Sequence, residues 1–119
     1  MAWTFTSDKP VYLQIAHRIT ASVLSGEYKA GEQLPTVRQL AMQAAVNPNT
    51  IQHAFLELES KGLVVSQGTV GRYVTDDALV IENCRKQLIE DIVRSFIKKC
   101  DSLSVGKDEI INIIEKVCE

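Results

Sequence analysis

The chain has 119 residues, of which 45% are hydrophobic and 24% charged, with a formal net charge of −2 at pH 7. These values are typical of one compact globular domain, or one small domain with an appendage, and exclude a disordered or collagen-like chain. The chain as a whole also lacks the basic charge of a protein that binds nucleic acid without sequence preference. Residues 1–75 carry six Lys/Arg and five Asp/Glu, whereas residues 76–119 carry seven and ten. The first segment is therefore the better candidate for contact with phosphate.

The sequence lacks the patterns that are typical of several functional classes. The N-terminus has no basic and apolar leader, and no apolar run approaches the roughly 20 residues of a membrane span. The chain has two histidines and no Gly-rich phosphate loop, so we expect neither an enzyme nor a bound cofactor. Cys84, Cys100 and Cys118 lack CxxC spacing, which argues against a zinc finger or a disulfide framework. We expect no metal site and a protein of the reducing cytoplasm.

An extended arm and a first helix are predicted at the N-terminus. Residues 1–8 alternate apolar and polar positions, and Pro10 stands where a helix can begin, with Ser7 or Asp8 available as a cap. The helix is predicted over about 10–25 and ends at Gly26. Its apolar positions recur at helical spacing: Tyr12, Ile15, Ala16, Ile19 and Val23.

Two further helices follow in close succession. After a turn-rich connection over 27–35, Thr36 and Gln39 form a capping-box pattern that predicts a short helix over about 36–44. A break of a few residues follows, and Asn47 then caps a third helix that begins at Pro48 and ends before Gly62. Two helices joined by a tight turn indicate a helix-turn-helix.

A β-hairpin is predicted after the third helix. Residues 63–66 and 72–75 alternate as strands around a Gly-flanked turn. The predicted fold is therefore mainly α with a small β-hairpin, a winged helix-turn-helix DNA-binding domain over 1–75. Residues 76–119 form a separate helical region.

The C-terminal region predicts two helices, over about 78–103 and 107–118, each with a wide apolar face. Two such helices cannot enclose a core of their own, so we expect them to pair with a second copy of the chain. The candidate dimerisation residues are Ile81, Leu88, Ile89, Ile92, Val93, Phe96, Ile110 and Ile114.

The third helix carries the predicted DNA contacts, because the second helix of a helix-turn-helix enters the major groove by its N-terminal residues. Amide, hydroxyl and imidazole groups can bond to base edges there. The candidates are Asn47, Asn49, Thr50, Gln52 and His53. For Asn47, helix capping is the favoured role, and a plain surface histidine is an equal alternative for His53.

Two other places can meet the DNA backbone. Thr36 and Arg38 begin the second helix, where unpaired N–H groups and a guanidinium suit a phosphate. At the predicted wing, Gly68 allows a close approach of the backbone, Arg72 offers charge, and Thr69 is either a contact or part of a plain turn.

The chain resembles GntR-family transcriptional regulators over about residues 8–75. The resemblance rests on spaced blocks at residues 10–15 (PVYLQI), 26–31 (GEYKAG), 34–41 (LPTVRQLA), 46–50 (VNPNT), 58–63 (LESKGL) and 68–74 (GTVGRYV). The short two-helix C-terminal region is similar to the YtrA-like subfamily.

The resemblance implies a homodimeric repressor on a palindromic operator of double-stranded DNA, with an effector of unknown identity left open. It implies that Arg38 touches DNA, that Thr36 contacts a phosphate and that Gly68 lies at the minor groove. Many members carry arginines where this chain has Pro48 and Gln52. Base recognition is therefore expected to rely on amides and hydroxyls more than on charge. The alternatives are a winged-helix protein-interaction module and a thiol or metal sensor, although the cysteines are expected to be inert core thiols.

Overall fold

The computed structural model describes residues 2–119, which form five α-helices and one two-stranded antiparallel sheet. The elements are α1 (Val11–Leu24), α2 (Val37–Ala44), α3 (Pro48–Ser60), β1 (Val64–Gln67), β2 (Gly71–Val74), α4 (Ala78–Asp101) and α5 (Lys107–Val117). They confirm the predicted mainly helical, winged helix-turn-helix fold. The chain divides into two compact units after Lys86. The sequence places the boundary after residue 75, but the first turns of α4 pack with the winged unit.

The core of the first unit lies where α1, α2 and α3 meet the hairpin. Its largest fully buried side chains are Ile15, Ile19, Leu40, Ile51, Phe55, Leu58, Leu63 and Val74. These positions recur every three or four residues in the helices, so each helix buries one face and leaves the other exposed. Cys84 of α4 completes this core, with Val80 and Ile81 packed against it.

The N-terminal arm is attached to α1 by the amide of Gln14. Its Nε2 donates to the carbonyls of Thr6 and Lys9, both at 2.8 Å, and its Oε1 accepts from the Thr6 N–H at 3.0 Å. Trp3 packs against the core, with the Arg18 guanidinium 4.1 Å from its ring centroid. The N-cap of α1 is Pro10, so the predicted cap by Ser7 or Asp8 is wrong.

The helix-turn-helix depends on two N-caps and one strained residue. Thr36 and Gln39 form the predicted capping box at α2, and the Asn47 side chain accepts from the Asn49 N–H at 2.8 Å at the start of α3. Between the helices Ala45 adopts the left-handed conformation, with φ at 58°. This residue ends α2 and turns the chain into α3, because the left-handed conformation is a common helix terminator.

The wing contains a pairing that the sequence pattern did not indicate. β1 and β2 pair in register from Val64–Val74 to Gln67–Gly71. Residues 31–34, predicted as part of a turn-rich connection, run along the other edge of β2. Backbone hydrogen bonds join Gly31 and Glu32 to Val74, and Leu34 to Arg72. The hairpin is thereby held on both sides of β2.

The second unit, from Gln87 to Glu119, contains the later turns of α4 and all of α5. None of residues 87–119 is buried, although many are large and apolar. Within the described part of the chain, no helix has the length and apolar composition needed to cross a membrane.

We predict that Ala45→Gly stabilises the protein by about 1 kcal/mol, because glycine removes the steric cost of a left-handed φ. Ala44→Gly is the matched control, since Ala44 is the adjacent residue, is helical and is 1% exposed. It is expected to destabilise by about 1–2 kcal/mol through helix propensity and a lost buried methyl. Urea unfolding of both variants measures the difference. Equal destabilisation by both glycines would contradict the role of Ala45.

Candidate nucleic-acid interface

The exposed side of α3 is a stripe of polar side chains near its N-terminus. Ile51, Ala54, Phe55 and Leu58 are buried on the opposite side. Burial of that face leaves Asn49, Gln52, His53 and Leu56 exposed, while Thr50 is half-buried. Spacings of three and four residues place the exposed four on one face of the helix. We call Asn49, Gln52, His53 and Leu56 the α3 stripe.

Two predicted contacts act as helix caps in the structure. Asn47 caps α3, which confirms the favoured structural interpretation of this residue. The Thr36 hydroxyl accepts from the Gln39 N–H at 3.1 Å, while the Gln39 side chain accepts from the Thr36 N–H at 2.8 Å. Both caps are exposed, so each orders a helix N-terminus that faces solvent.

His53 is not an isolated surface histidine. Its ring stacks on that of Tyr12 from α1, with ring centroids 3.5 Å apart and an angle of 6° between the planes. His53 is exposed and Tyr12 is half-buried. The stack joins the first turns of α1 to the α3 stripe.

Arg38 and Arg72 differ sharply in their surroundings. Arg38 is exposed, and no carboxylate of residues 2–119 forms an ion pair with it. Arg72 is half-buried, with its Nε 2.6 Å from Glu59 Oε1 and its guanidinium 4.8 Å from the Phe55 ring centroid. A guanidinium neutralised by a carboxylate adds little attraction for phosphate. The structure therefore contradicts the expectation that Arg72 is an available charge on the wing, because the side chain turns back to α3.

The wing tip contains the other two predicted contacts, Gly68 and Thr69, and both are exposed. Gly68 has a φ of 54°, and a Cβ at that position would meet no atom within 4 Å. Gly71 ends the turn with a φ of 140°, and a Cβ there would lie 2.8 Å from Gln33 Nε2. Gln33 donates to the Val70 carbonyl at 3.1 Å. This bond holds the tip in place.

The predicted dimerisation residues fall into two groups. Ile81 is half-buried and packs against the core of the winged unit, so its side chain already has partners within the chain. The others lie in the second unit and are exposed or half-buried: Leu88, Ile89, Ile92, Val93, Phe96, Ile110 and Ile114. Many of these residues line an open apolar groove of about 440 Å³ between the later turns of α4 and α5.

The cysteines occupy three different environments. Burial raises the pKa of the Cys84 thiol, which lowers its thiolate fraction and its reactivity, with Lys61 acting weakly in the opposite direction. Cys100 is half-buried and Cys118 is exposed. The expectation of three inert core thiols is therefore wrong for Cys118, because nothing in the described chain covers that end of α5. Among residues 2–119 no group of three or more His, Cys, Asp or Glu could hold a metal ion.

Three residues of this surface were missed by sequence reasoning. Tyr12 was interpreted only as an apolar helix position, and Gln33 only as part of a connection. Leu56 was not assigned to any face, yet it is 55% exposed on the α3 stripe. Helical spacing alone could have identified Leu56, since it follows Gln52 and His53 by four and three residues. The contacts of Tyr12 and Gln33 join residues that are distant in sequence.

Comparison with known proteins finds relatives among bacterial regulators. Residues 11–74 match the family described as bacterial regulatory proteins, gntR family. The chain is 34% identical over 115 residues to the uncharacterised HTH-type transcriptional regulator YhcF of Bacillus subtilis (strain 168), covering 97% of this chain and 95% of YhcF. It is 35% identical over 94 residues to the HTH-type transcriptional repressor YtrA of the same strain, covering 71% of this chain and 72% of YtrA.

A solved structure shares nearly the whole fold. It is a GntR family transcriptional regulator from Listeria monocytogenes, with a TM-score of 0.79 and 36% identity. The match covers 94% of this chain and 98% of that one. The similarity to these regulators therefore extends beyond the winged unit into the C-terminal helices.

We predict that Arg72→Met destabilises the protein by about 1–2 kcal/mol, because it removes a half-buried ion pair and a guanidinium–ring contact. Glu59→Gln should cost less, since the Phe55 contact remains. Arg85→Met is the control, because its ion pair with Glu82 is more exposed, and it should leave the urea midpoint nearly unchanged. A double-mutant cycle in urea measures the Arg72–Glu59 coupling. Additive effects of the two changes would contradict the pairing.

Proposed function

We propose that this chain, which belongs to the GntR family of bacterial regulatory proteins and is a DNA-binding transcriptional regulator, acts as a homodimeric repressor on a palindromic operator in the cytoplasm. The observation that carries the proposal is the uncovered apolar surface of residues 87–119. Ten large apolar side chains of that segment are at least 41% exposed: Ile89, Ile92, Val93, Phe96, Ile97, Leu103, Ile111, Ile113, Ile114 and Val117.

A second copy is the occupant that best fits this surface. Covering the exposed half of such a side chain contributes about 1 kcal/mol, so covering all ten contributes on the order of 10 kcal/mol to association. Monomeric proteins rarely expose contiguous apolar areas of this kind. The apolar groove lies within the same surface, and side chains of a partner would fill it.

The symmetry of the proposed dimer predicts the symmetry of the operator. A two-fold dimer presents two identical winged units, and two identical readers recognise two inverted half-sites. We expect the half-site centres to lie about one helical turn, or a small multiple of it, apart. Pairing also doubles the phosphate contacts of a surface that has few available cations.

We assign one role to each part of the proposed DNA interface. Asn49, Thr50, Gln52 and His53 contact base edges in the major groove through amide, hydroxyl and imidazole groups. Arg38 and the N-terminus of α2, ordered by Thr36, contact phosphates. Gly68 and Thr69 approach the minor groove. Asn47 acts chiefly as the cap that sets the direction of α3.

Repression is supported by the relative YtrA of Bacillus subtilis (strain 168), a transcriptional repressor whose alignment covers 71% of this chain. A dimer bound across a promoter blocks polymerase by occupancy alone. In vitro transcription from a template that contains the selected operator tests this role. Transcript that falls as protein is added supports repression, and transcript that rises would reverse the assignment.

We predict that Phe96→Glu converts a dimer of about 26 kDa, twice the 13.2 kDa chain, into a monomer, because a carboxylate cannot be desolvated in an apolar interface. Lys98→Glu is the control on the same helix, since the helical period places it opposite Phe96. Size-exclusion chromatography with light scattering measures both masses. The measurement at about 100 μM protein detects any association that is tighter than a weak millimolar contact. A wild-type protein that is monomeric at this concentration would contradict the proposed dimer.

We predict that Arg38→Ala weakens DNA binding uniformly across sequences and lowers the slope of log K against log salt by about 1 per chain. Arg38→Lys should keep the slope, since the charge remains. Arg94→Ala, which removes a paired cation of the second unit, should leave affinity and slope unchanged. Fluorescence anisotropy with a duplex chosen by selection measures these values. An unchanged slope for Arg38→Ala would remove this arginine from the phosphate contacts.

A further inference from the structure

The stack of Tyr12 on His53 is the feature of the winged unit that the assigned roles leave unexplained. Tyr12 is the second residue of α1, and His53 lies on the α3 stripe. Together with Val11, Asn49 and Thr50, the two rings line an open depression of about 360 Å³ beside the N-terminal half of α3. Three residues proposed to contact bases, Asn49, Thr50 and His53, therefore share a concave surface with a tyrosine from another helix.

The geometry of the stack restricts the imidazole. Aromatic pairs usually place their centroids about 4.5–7 Å apart in offset or edge-to-face arrangements. Here the separation is 3.5 Å and the planes differ by 6°, so the rings overlap over most of their faces. An exposed histidine without such a contact changes rotamer within nanoseconds. The Tyr12 ring therefore selects one plane for the His53 ring.

A preset ring plane has a direct consequence for recognition. An imidazole offers one donor and one acceptor, or two donors, in directions fixed by the ring plane. If the plane is already set, little side-chain entropy is lost when the ring bonds to a base edge. The bond is then also directional, which is what distinguishes one base pair from another in the major groove.

We propose that Tyr12 is a positioning residue that holds the His53 imidazole against the DNA, and that the two rings together determine the base preference at one operator position. The inference rests on the proposed function, in which the α3 stripe contacts bases. Tyr12 acts through His53, so loss of the tyrosine ring and loss of the histidine ring should affect the same base pair.

The test is selection from a randomised DNA duplex library, followed by measurement of base preference at each operator position. His53→Ala should reduce the preference at one base pair by about fivefold or more. Tyr12→Leu, which keeps apolar bulk but removes the ring, should reduce preference at that same base pair. The double variant should be no worse than His53→Ala, and Tyr12→Phe, which keeps the ring, should restore the wild-type profile.

Val11→Ala is the matched control, because Val11 lines the same depression without joining the stack. It should leave the base-preference profile unchanged. If Tyr12→Leu weakens binding equally on all sequences, or adds independently to His53→Ala, Tyr12 is only a packing residue and the inference is overturned. An unchanged profile for His53→Ala overturns it as well. If wild-type protein enriches no sequence, the proposed function itself fails.

A measurement on the wild-type protein keeps the inference testable even if Tyr12→Leu does not fold. The His53 ring protons should resonate upfield of those of an unstacked histidine, because they lie over the face of the Tyr12 ring. They should shift again when selected duplex is added and remain unaffected by an unselected duplex. Unshifted His53 resonances in the free protein would show that the stack does not persist in solution and would overturn the inference.

Discussion

Burial of one face of α3 against α1 and the hairpin is the constraint on which the rest of the winged unit depends. Ile51, Ala54, Phe55 and Leu58 are all less than 2% exposed, so the helix cannot rotate about its axis without losing several kcal/mol of apolar burial. That fixed rotation is what exposes Asn49, Gln52 and His53 together. In the proposed function, recognition of DNA thus follows from how α3 is packed, because the residues proposed to contact bases lie on its exposed face.

Charge within the winged unit serves the fold more than it serves attraction to DNA. Arg72 pairs with Glu59, Lys61 pairs with Glu57, and Arg18 lies over Trp3. Arg38 is left as an exposed cation at the start of α2. Because a surface with so few available charges gains little affinity from phosphate alone, the proposed function relies on directional contacts and on two-fold pairing for tight binding. The proposed role of the Tyr12–His53 stack fits a surface with few available charges, since an ordered ring adds specificity without adding charge.

The second unit shows the opposite arrangement, with apolar surface in excess of what the unit can bury. None of residues 87–119 is buried, and Phe96, Ile97 and Ile114 line an open groove. In the proposed dimer, a second copy covers this apolar face and stabilises the two helices. The proposed dimerisation and the proposed operator symmetry would then both follow from this uncovered apolar surface.

Local patterns in the chain were enough to predict most of the helices, the helix-turn-helix and the position of the α3 stripe. Helical spacing, the Thr36 capping box, the Asn47 cap and the glycines of the wing all act over a few residues, so their effects can be deduced from neighbours in sequence. The tertiary structure alone decided the pairing of residues 31–34 with β2, the packing of Ile81 against the core, the ion pair of Arg72 with Glu59 and the Tyr12–His53 stack. Each of these joins residues that are far apart in the chain, and an isolated sequence pattern does not encode which distant side chains meet once the core has formed.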